Sequence, residues 1–174
     1  SGIHSYTNNP DFLGKVTKTI SPDSLVNAIK KDPYDFNPGE KMLYNNSGYF
    51  LLGYIINKVS GKPYDVFLKE NFFDPLHMNN TGIYYTGIKL ENEAKGYGGV
   101  NGAYKPALNW DMSWAGGAGA IYSTVDDLLK WNQALYGGKV LKKESLDAAL
   151  TPAVLKNKEE PSMRYGFGLG LAKY

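Results

Sequence analysis

Cysteine is absent from the 174 residues, which excludes a disulfide framework, zinc-thiolate centres, iron–sulfur ligation and thiol catalysis. Histidine is nearly absent. The two that occur, His4 and His77, lack the His-x-x-x-His spacing of a metal site, so each reads as a packing or solvent-facing residue and no metal or other cofactor is expected. Long apolar runs are also missing. The most hydrophobic stretch, Tyr49 to Ile56, is eight residues long, too short for a transmembrane segment in this chain. A surplus of either charge is lacking too: 19 basic residues scattered among 17 acidic ones give no reason to expect a nucleic-acid partner.

What is present suits a single globular domain over 1–174. The chain is 43% hydrophobic, and a domain of this size buries about 70% of the surface that its unfolded form exposes. It opens Ser1-Gly2-Ile3-His4 with no initiator Met and no apolar leader, so any targeting signal is expected upstream or already removed.

Turn-formers and a lack of sustained period mark 1–20 as mostly irregular surface chain. Ser21-Pro22-Asp23 reads as an N-cap with proline at the first helical position, opening a helix to about Lys31. The strongest helix is predicted from Asn46 or Ser47, with Asn46 a natural cap, to Ser60, with Gly61 just past its end. It is apolar nearly all round and therefore expected to be central. A further helix follows Pro63 through Tyr64, Phe67 and Leu68 to about Phe72. Between 79 and 112 Gly, Asn and Tyr dominate a long loop, with Ile83-Tyr84-Tyr85 and Gly102-Ala103-Tyr104 as candidate short strands. Ser123-Thr124-Val125-Asp126 reads as a capping box for a helix whose core face is Leu128, Leu129, Asn132 and Leu135, flanked by Trp131 and ended by Gly137-Gly138. One more helix is predicted over about Lys142 to Leu150, then a polar linker from Lys156 to Glu160. The alternating segment 165–174 reads as an orphan strand with an open edge, a route to homodimerisation or strand exchange.

Neither common serine nucleophile motif occurs: there is no Gly-x-Ser-x-Gly, and no serine is followed three residues later by lysine. The run Gly116-Gly117-Ala118-Gly119 matches no phosphate-binding fingerprint, and Trp114 before it suggests close backbone packing.

The segment Tyr44-Asn45-Asn46 followed by Ser47-Gly48-Tyr49-Phe50-Leu51-Leu52-Gly53 resembles the Tyr-x-Asn motif of the serine β-lactamase and penicillin-binding-protein family. The similar branch includes class C β-lactamases, D-alanyl-D-alanine carboxypeptidases and esterases. Ser1-Gly2-Ile3 resembles the tail of the family's His-Thr-Ser-Gly segment, and Phe36-Asn37-Pro38-Gly39 its Pro-Gly turn. Ala94-Lys95-Gly96-Tyr97 is similar to its Ala-x-Gly-Tyr, Ala115-Gly116-Gly117 through Leu128 to its Ala-Gly-Gly and Ser-Thr-x-x-Asp-Leu block, and Tyr165 to Gly170 to its Tyr-Gly-x-Gly strand. The family's Ser-x-x-Lys helix and Lys/His-x-Gly strand have no counterpart among the 174 residues.

The resemblance implies a mainly α chain with short strands, the helical region of an α+β β-lactamase-like fold and the middle of a longer protein. It implies a parent serine hydrolase that forms an acyl-enzyme from D-alanyl peptides, β-lactams or small esters, in an extracytoplasmic setting, with a small-molecule or peptidoglycan-like peptide as substrate. Tyr44 would be the acid/base and Asn46 the group that hydrogen-bonds the substrate amide, with Asn45, Tyr97 and Trp114 at the substrate and the loop 79–112 as its rim. By composition alone Tyr44, one of 14 tyrosines, is a packing residue, and Tyr97, Trp110 and Trp114 are core aromatics. The chain alone, without a nucleophile, is expected to be inactive. A non-catalytic binding or interaction module of the same fold remains the alternative.

Overall fold

The computed structural model describes residues 1–100, 102–158, 161 and 163–172. Its α-helices are α1 (Phe12–Lys15), α2 (Pro22–Ile29), α3 (Asn46–Ser60), α4 (Tyr64–Leu68), which a π-helical turn continues over Lys69–Phe73, α5 (Val125–Tyr136) and α6 (Lys143–Ala149). Two small antiparallel sheets accompany them. β1 (Gly82–Ile83) pairs with β4 (Ile121–Tyr122), and β2 (Tyr97–Val100) pairs with β3 (Ala103–Pro106).

The caps written in the sequence set several of these limits. The Ser21 hydroxyl accepts from Ser24 N–H at 3.2 Å, satisfying a first-turn donor of α2, and Pro22 begins that helix where no N–H is needed. Gly61 ends α3 in the left-handed conformation with φ 69°. At α5 the expected capping box shifts by one residue. Thr124 is the cap, accepting from Asp127 N–H at 3.3 Å, while the Asp127 carboxylate turns to the 80–81 loop.

One cluster of buried side chains, Tyr6, Phe12, Val16, Leu25, Val26, Ile29 and Phe50, joins the first thirty residues to α3. This corrects the reading of 1–20 as surface chain: Tyr6, Phe12 and Val16 are core, and Tyr6 meets Phe12 and Phe50 edge-to-face. A second cluster, Leu68, Phe73 and Met78, lies between α4 and Trp131 of α5. The α5 core face also differs from expectation, since Asp127, Ala134 and Leu135 are buried whereas Leu128 and Leu129 are about half exposed.

Nor is α3 buried all round. Its inward stripe is Ser47, Phe50 and Gly53, while Leu52 and Ile55 are half exposed and Val59 almost wholly so. The inward side is very close. A Cβ on Gly117 would lie 2.7 Å from the Tyr49 carbonyl oxygen and 2.9 Å from Gly53 Cα, so the two backbones touch without intervening side chains.

Two buried carboxylates fasten the loops. Asp127 accepts from Asn80 N–H at 2.7 Å, Thr81 at 3.0 Å and Lys130 at 2.7 Å; burial pushes its carboxyl up, but these bonds hold it below the ordinary range. Asp111 accepts from Thr19 at 2.6 Å, Thr86 at 2.8 Å and Ser113 N–H at 3.0 Å. Bonds from Ser113 and Thr19 lead in bringing its carboxyl down to about 2.

The 79–112 stretch is thus partly built. β2 was not anticipated, and the second candidate strand extends to Pro106; Asn101 lies outside the described residues. At the C-terminal end the chain doubles back, with Tyr165 opposite Gly170, Gly166 N–H on the Leu169 carbonyl and Leu171 N–H on the Arg164 carbonyl. The backbone groups on which the expected strand exchange rested are therefore partly spent within the segment. Lys173 and Tyr174, like Glu159 and Glu160 of the expected linker, lie outside the described residues.

Gly117→Ala should lower stability by about 1–3 kcal/mol through overpacking. Gly14→Ala, in a helical turn with open space around its Cβ, should be neutral or stabilising by up to about 1 kcal/mol. Urea unfolding of both variants checks the contrast. Asp111 supplies a second expectation: its stabilisation is present above the unfolded carboxyl value of about 3.9 and is lost as pH falls through about 2. Asp111→Asn should therefore be less stable at pH 7 and show a shallower fall in stability between pH ~4 and ~2; equal slopes would contradict the assignment.

Candidate active site

The chain approaches α3 in extended form, and Asn45, at φ −146° and ψ 117°, turns it into the helix. Its Oδ1 accepts from Gly48 N–H at 2.7 Å and its Nδ2 donates to the Ile3 carbonyl. Asn45 is the cap, and Asn46 is not. Each end of the Asn45 side chain thus makes a structural hydrogen bond, and the residue also lines an apolar groove beside Tyr44.

Asn46 is thereby available as a side chain, and its neighbours fix it. Its N–H donates to Ser5 Oγ at 3.1 Å and its Nδ2 donates to Thr7 Oγ1 at 3.0 Å, while Ser5 and Thr7 bond each other at 3.0 Å. One residue further, fully buried Ser47 accepts from Tyr6 N–H at 3.0 Å. Residues 45, 46 and 47 are each tied to the 3–7 segment. That segment is itself tied down, for Gly2 (φ 81°) leaves its carbonyl on Asp35 N–H at 2.8 Å, and His4 bonds Asp35 at 2.7 Å. The His4 imidazole is raised above its ordinary pKa chiefly by that bond.

Two tyrosines at this junction differ in kind. Tyr6 is buried and donates its hydroxyl to the Trp114 carbonyl; burial first, and the charge of Tyr44 second, push its pKa up to about 12. It stays a neutral phenol at any ordinary pH. Tyr44 is 53% exposed, and its hydroxyl makes no hydrogen bond to a described residue. Of the two, Tyr44 is the one exposed to an incoming group.

Tyr44 stands on the wall of a groove of about 450 Å³ whose lining is mostly apolar, with Ile3, Met42, Leu52 and Ile55 among its residues. Tyr165 closes one side, its phenol raised by burial and by a hydrogen bond with Tyr49. An apolar cleft with a few fixed polar groups is the usual form of a small-molecule site. Among the described residues no cluster of acidic or imidazole side chains could hold a metal.

The structure brings Tyr44, Asn45 and Asn46 together and separates the other two expected site residues. Tyr97 lines a different cavity, and Trp114, partly buried against the first core cluster, donates its indole N–H to the Lys18 carbonyl at 2.7 Å and packs edge-to-face on Phe12. Reasoning from sequence missed Ser5, Tyr6, Thr7 and Tyr165. The first three sit in a segment with no periodicity, and only the alternation of hydroxyl side chains around Tyr6 hinted at a common role.

The Beta-lactamase family model matches residues 1–173. The chain belongs to the Beta-lactamase family. It is similar to PbpX of Bacillus subtilis (strain 168), with 34% identity over 153 residues that cover 88% of this chain and 37% of that protein. Among solved structures it is similar to a D-stereospecific amidohydrolase from Streptomyces sp., with TM-score 0.81, 30% identity and coverage of 98% of this chain and 53% of that one. A penicillin-binding protein from Bacillus halodurans is similar with TM-score 0.78 and 25% identity, over 98% of this chain and 52% of that one. This Beta-lactamase-family chain thus spans about half the length of the solved relatives and less than two-fifths of PbpX. Its helices and short strands are those of the helical region of that fold.

Proposed function

We propose that this chain supplies the Tyr-x-Asn element of a serine hydrolase that works through an acyl-enzyme on D-configured amides, D-alanyl peptides or β-lactams. The observation that carries the reading is an exposed phenol at Tyr44, without a hydrogen bond to a described residue, on the wall of an apolar groove, with an immobilised Asn46 two residues further along the chain.

The nucleophile is a serine of a Ser-x-x-Lys segment outside these residues. Its Oγ attacks the substrate carbonyl carbon while its proton passes to Tyr44 Oη. When the carbon–nitrogen bond breaks, that proton goes to the departing nitrogen, leaving an ester that water hydrolyses. A free phenol, with pKa near ~10, is a weak base at neutral pH, so a neighbouring ammonium is needed to favour its ionised form. Asn46 would donate to the substrate amide, and the apolar lining near Leu52 and Ile55 would hold its side chain. An extracytoplasmic setting, where peptidoglycan-like peptides occur, belongs to the same reading. The similarity to a D-stereospecific amidohydrolase and to penicillin-binding proteins supports the substrate class.

The test is acylation by a fluorescent penicillin. The full-length protein should gain one covalent adduct, and Tyr44→Phe should slow its formation by about 10²–10⁴-fold, the usual size of an acid–base contribution. The 174 residues alone should not label. Labelling of this piece by itself, or a Tyr44→Phe rate within about threefold of the parent, would overturn the proposal. A full-length protein that binds penicillin but never forms an adduct would favour a non-catalytic binding module.

A further inference from the structure

The β2–β3 hairpin carries an aromatic face that the acyl-transfer reading does not use. In its register Tyr97 lies opposite Pro106 and Gly99 opposite Tyr104, so Tyr97, Gly99, Tyr104 and Pro106 share one face, and Gly98 and Lys105 the other. Tyr97 is 64% and Tyr104 74% exposed. Diagonal neighbours on a strand pair stand about 7–8 Å apart, close enough for one extended ligand to lie across both rings. Gly99 leaves the Tyr104 ring uncovered, and nothing larger fits there, since a Cβ would lie 2.3 Å from the Ala103 carbonyl oxygen.

The same face continues into a cavity of about 460 Å³ through Tyr97 and Pro106. The cavity is predominantly polar, with Tyr84, Glu93, Lys95 and Asn109 in its walls, and it shares no lining residue with the groove beside Tyr44. Glu93 lies 3.7 Å from Lys95 and is hydrogen-bonded to Tyr84. Its one anion and one cation therefore offset each other. A ligand suited to this surface is uncharged, rich in hydroxyl groups and flat enough to lie on two phenol rings.

We propose that the Tyr97–Tyr104 face and the adjoining 84–109 cavity form a binding site for a neutral oligosaccharide of linked pyranose rings. The apolar C–H faces of two rings stack on Tyr97 and Tyr104, and the hydroxyl groups of the next ring bond to Asn109 and to the Glu93–Lys95 pair. The opposite charges of Glu93 and Lys95 leave the cavity lining without net charge, which suits a neutral ligand better than a charged polymer. The inference is independent of the acyl-transfer reading and assigns Tyr97 a ligand of its own.

Calorimetric titration with cellotetraose and with chitotetraose tests it, because β-1,4-linked chains are extended ribbons. Saturable binding of at least one with Kd below about 1 mM is expected. The Tyr97→Ala, Tyr104→Ala double variant should weaken it by about tenfold or more, the worth of two stacked rings, while Tyr97→Phe, Tyr104→Phe should stay within about threefold. Both rings are exposed, and circular dichroism identifies any variant that misfolds; in that event the single variant Asn109→Ala, expected to lose severalfold in affinity, takes its place. Absence of saturable binding to both sugars, or binding that the alanine variants leave unchanged, would overturn the proposal. No acylation step enters the readout, so the failure of either proposal is seen separately.

Discussion

The candidate site depends on a short stitch of hydrogen bonds between two segments forty residues apart. Ser5, Tyr6 and Thr7 bond to Asn46 and Ser47 at 3.0–3.1 Å, and Asn45 reaches the Ile3 carbonyl while capping α3. Ser47 is fully buried, so its bond to Tyr6 N–H satisfies two groups that would otherwise cost about 1–3 kcal/mol each to leave unpaired. Satisfaction of these groups, more than any apolar contact, fixes where the first turn of α3 begins and therefore where Tyr44 and Asn46 stand. The two roles of the asparagine pair are divided by that constraint. Asn45 caps the helix, and Asn46 is held by Ser5 and Thr7.

The rest of the fold holds the stitch in place. Phe50 and Gly53, one and two turns along α3, meet the first core cluster and the Gly117 backbone, which stops the helix from rotating or sliding. Tyr6 belongs to the stitch through its backbone and to the core through its ring, and its hydroxyl reaches Trp114. Helix position, core packing and the distinction between a buried, neutral tyrosine and an exposed one thus follow from the same few residues. Asp111 and Asp127 then fasten the loops after α1, β1 and α4.

Local chemistry was legible in the sequence, and long-range burial was not. Ser21, Pro22 and Gly61 marked helix ends because caps are satisfied within three or four residues. The Tyr44-Asn45-Asn46 motif was legible through family resemblance, but adjacent asparagines have equal cap preference, so only the contact with Ile3 decides which one caps. Residues 1–20 looked like surface chain because their burial comes from partners as distant as Trp114. The helical period of α5 announced an apolar stripe, yet Leu128 and Leu129 remain exposed and Asp127 is buried, since a period says which residues align and not what packs against them. Of the two readings open for Trp114, substrate contact and packing, the structure shows the packing, against the first core cluster.

The most direct measurement is a crystal structure of the full-length protein acylated by a penicillin. The account predicts Tyr44 Oη within about 2.6–3.2 Å of the acylated serine Oγ or of the departing nitrogen's position, and Asn46 Nδ2 on the acyl amide, with Thr7 still against its side chain. A phenol of Tyr44 turned away from the ester by more than about 5 Å, with another base in its place, would contradict it.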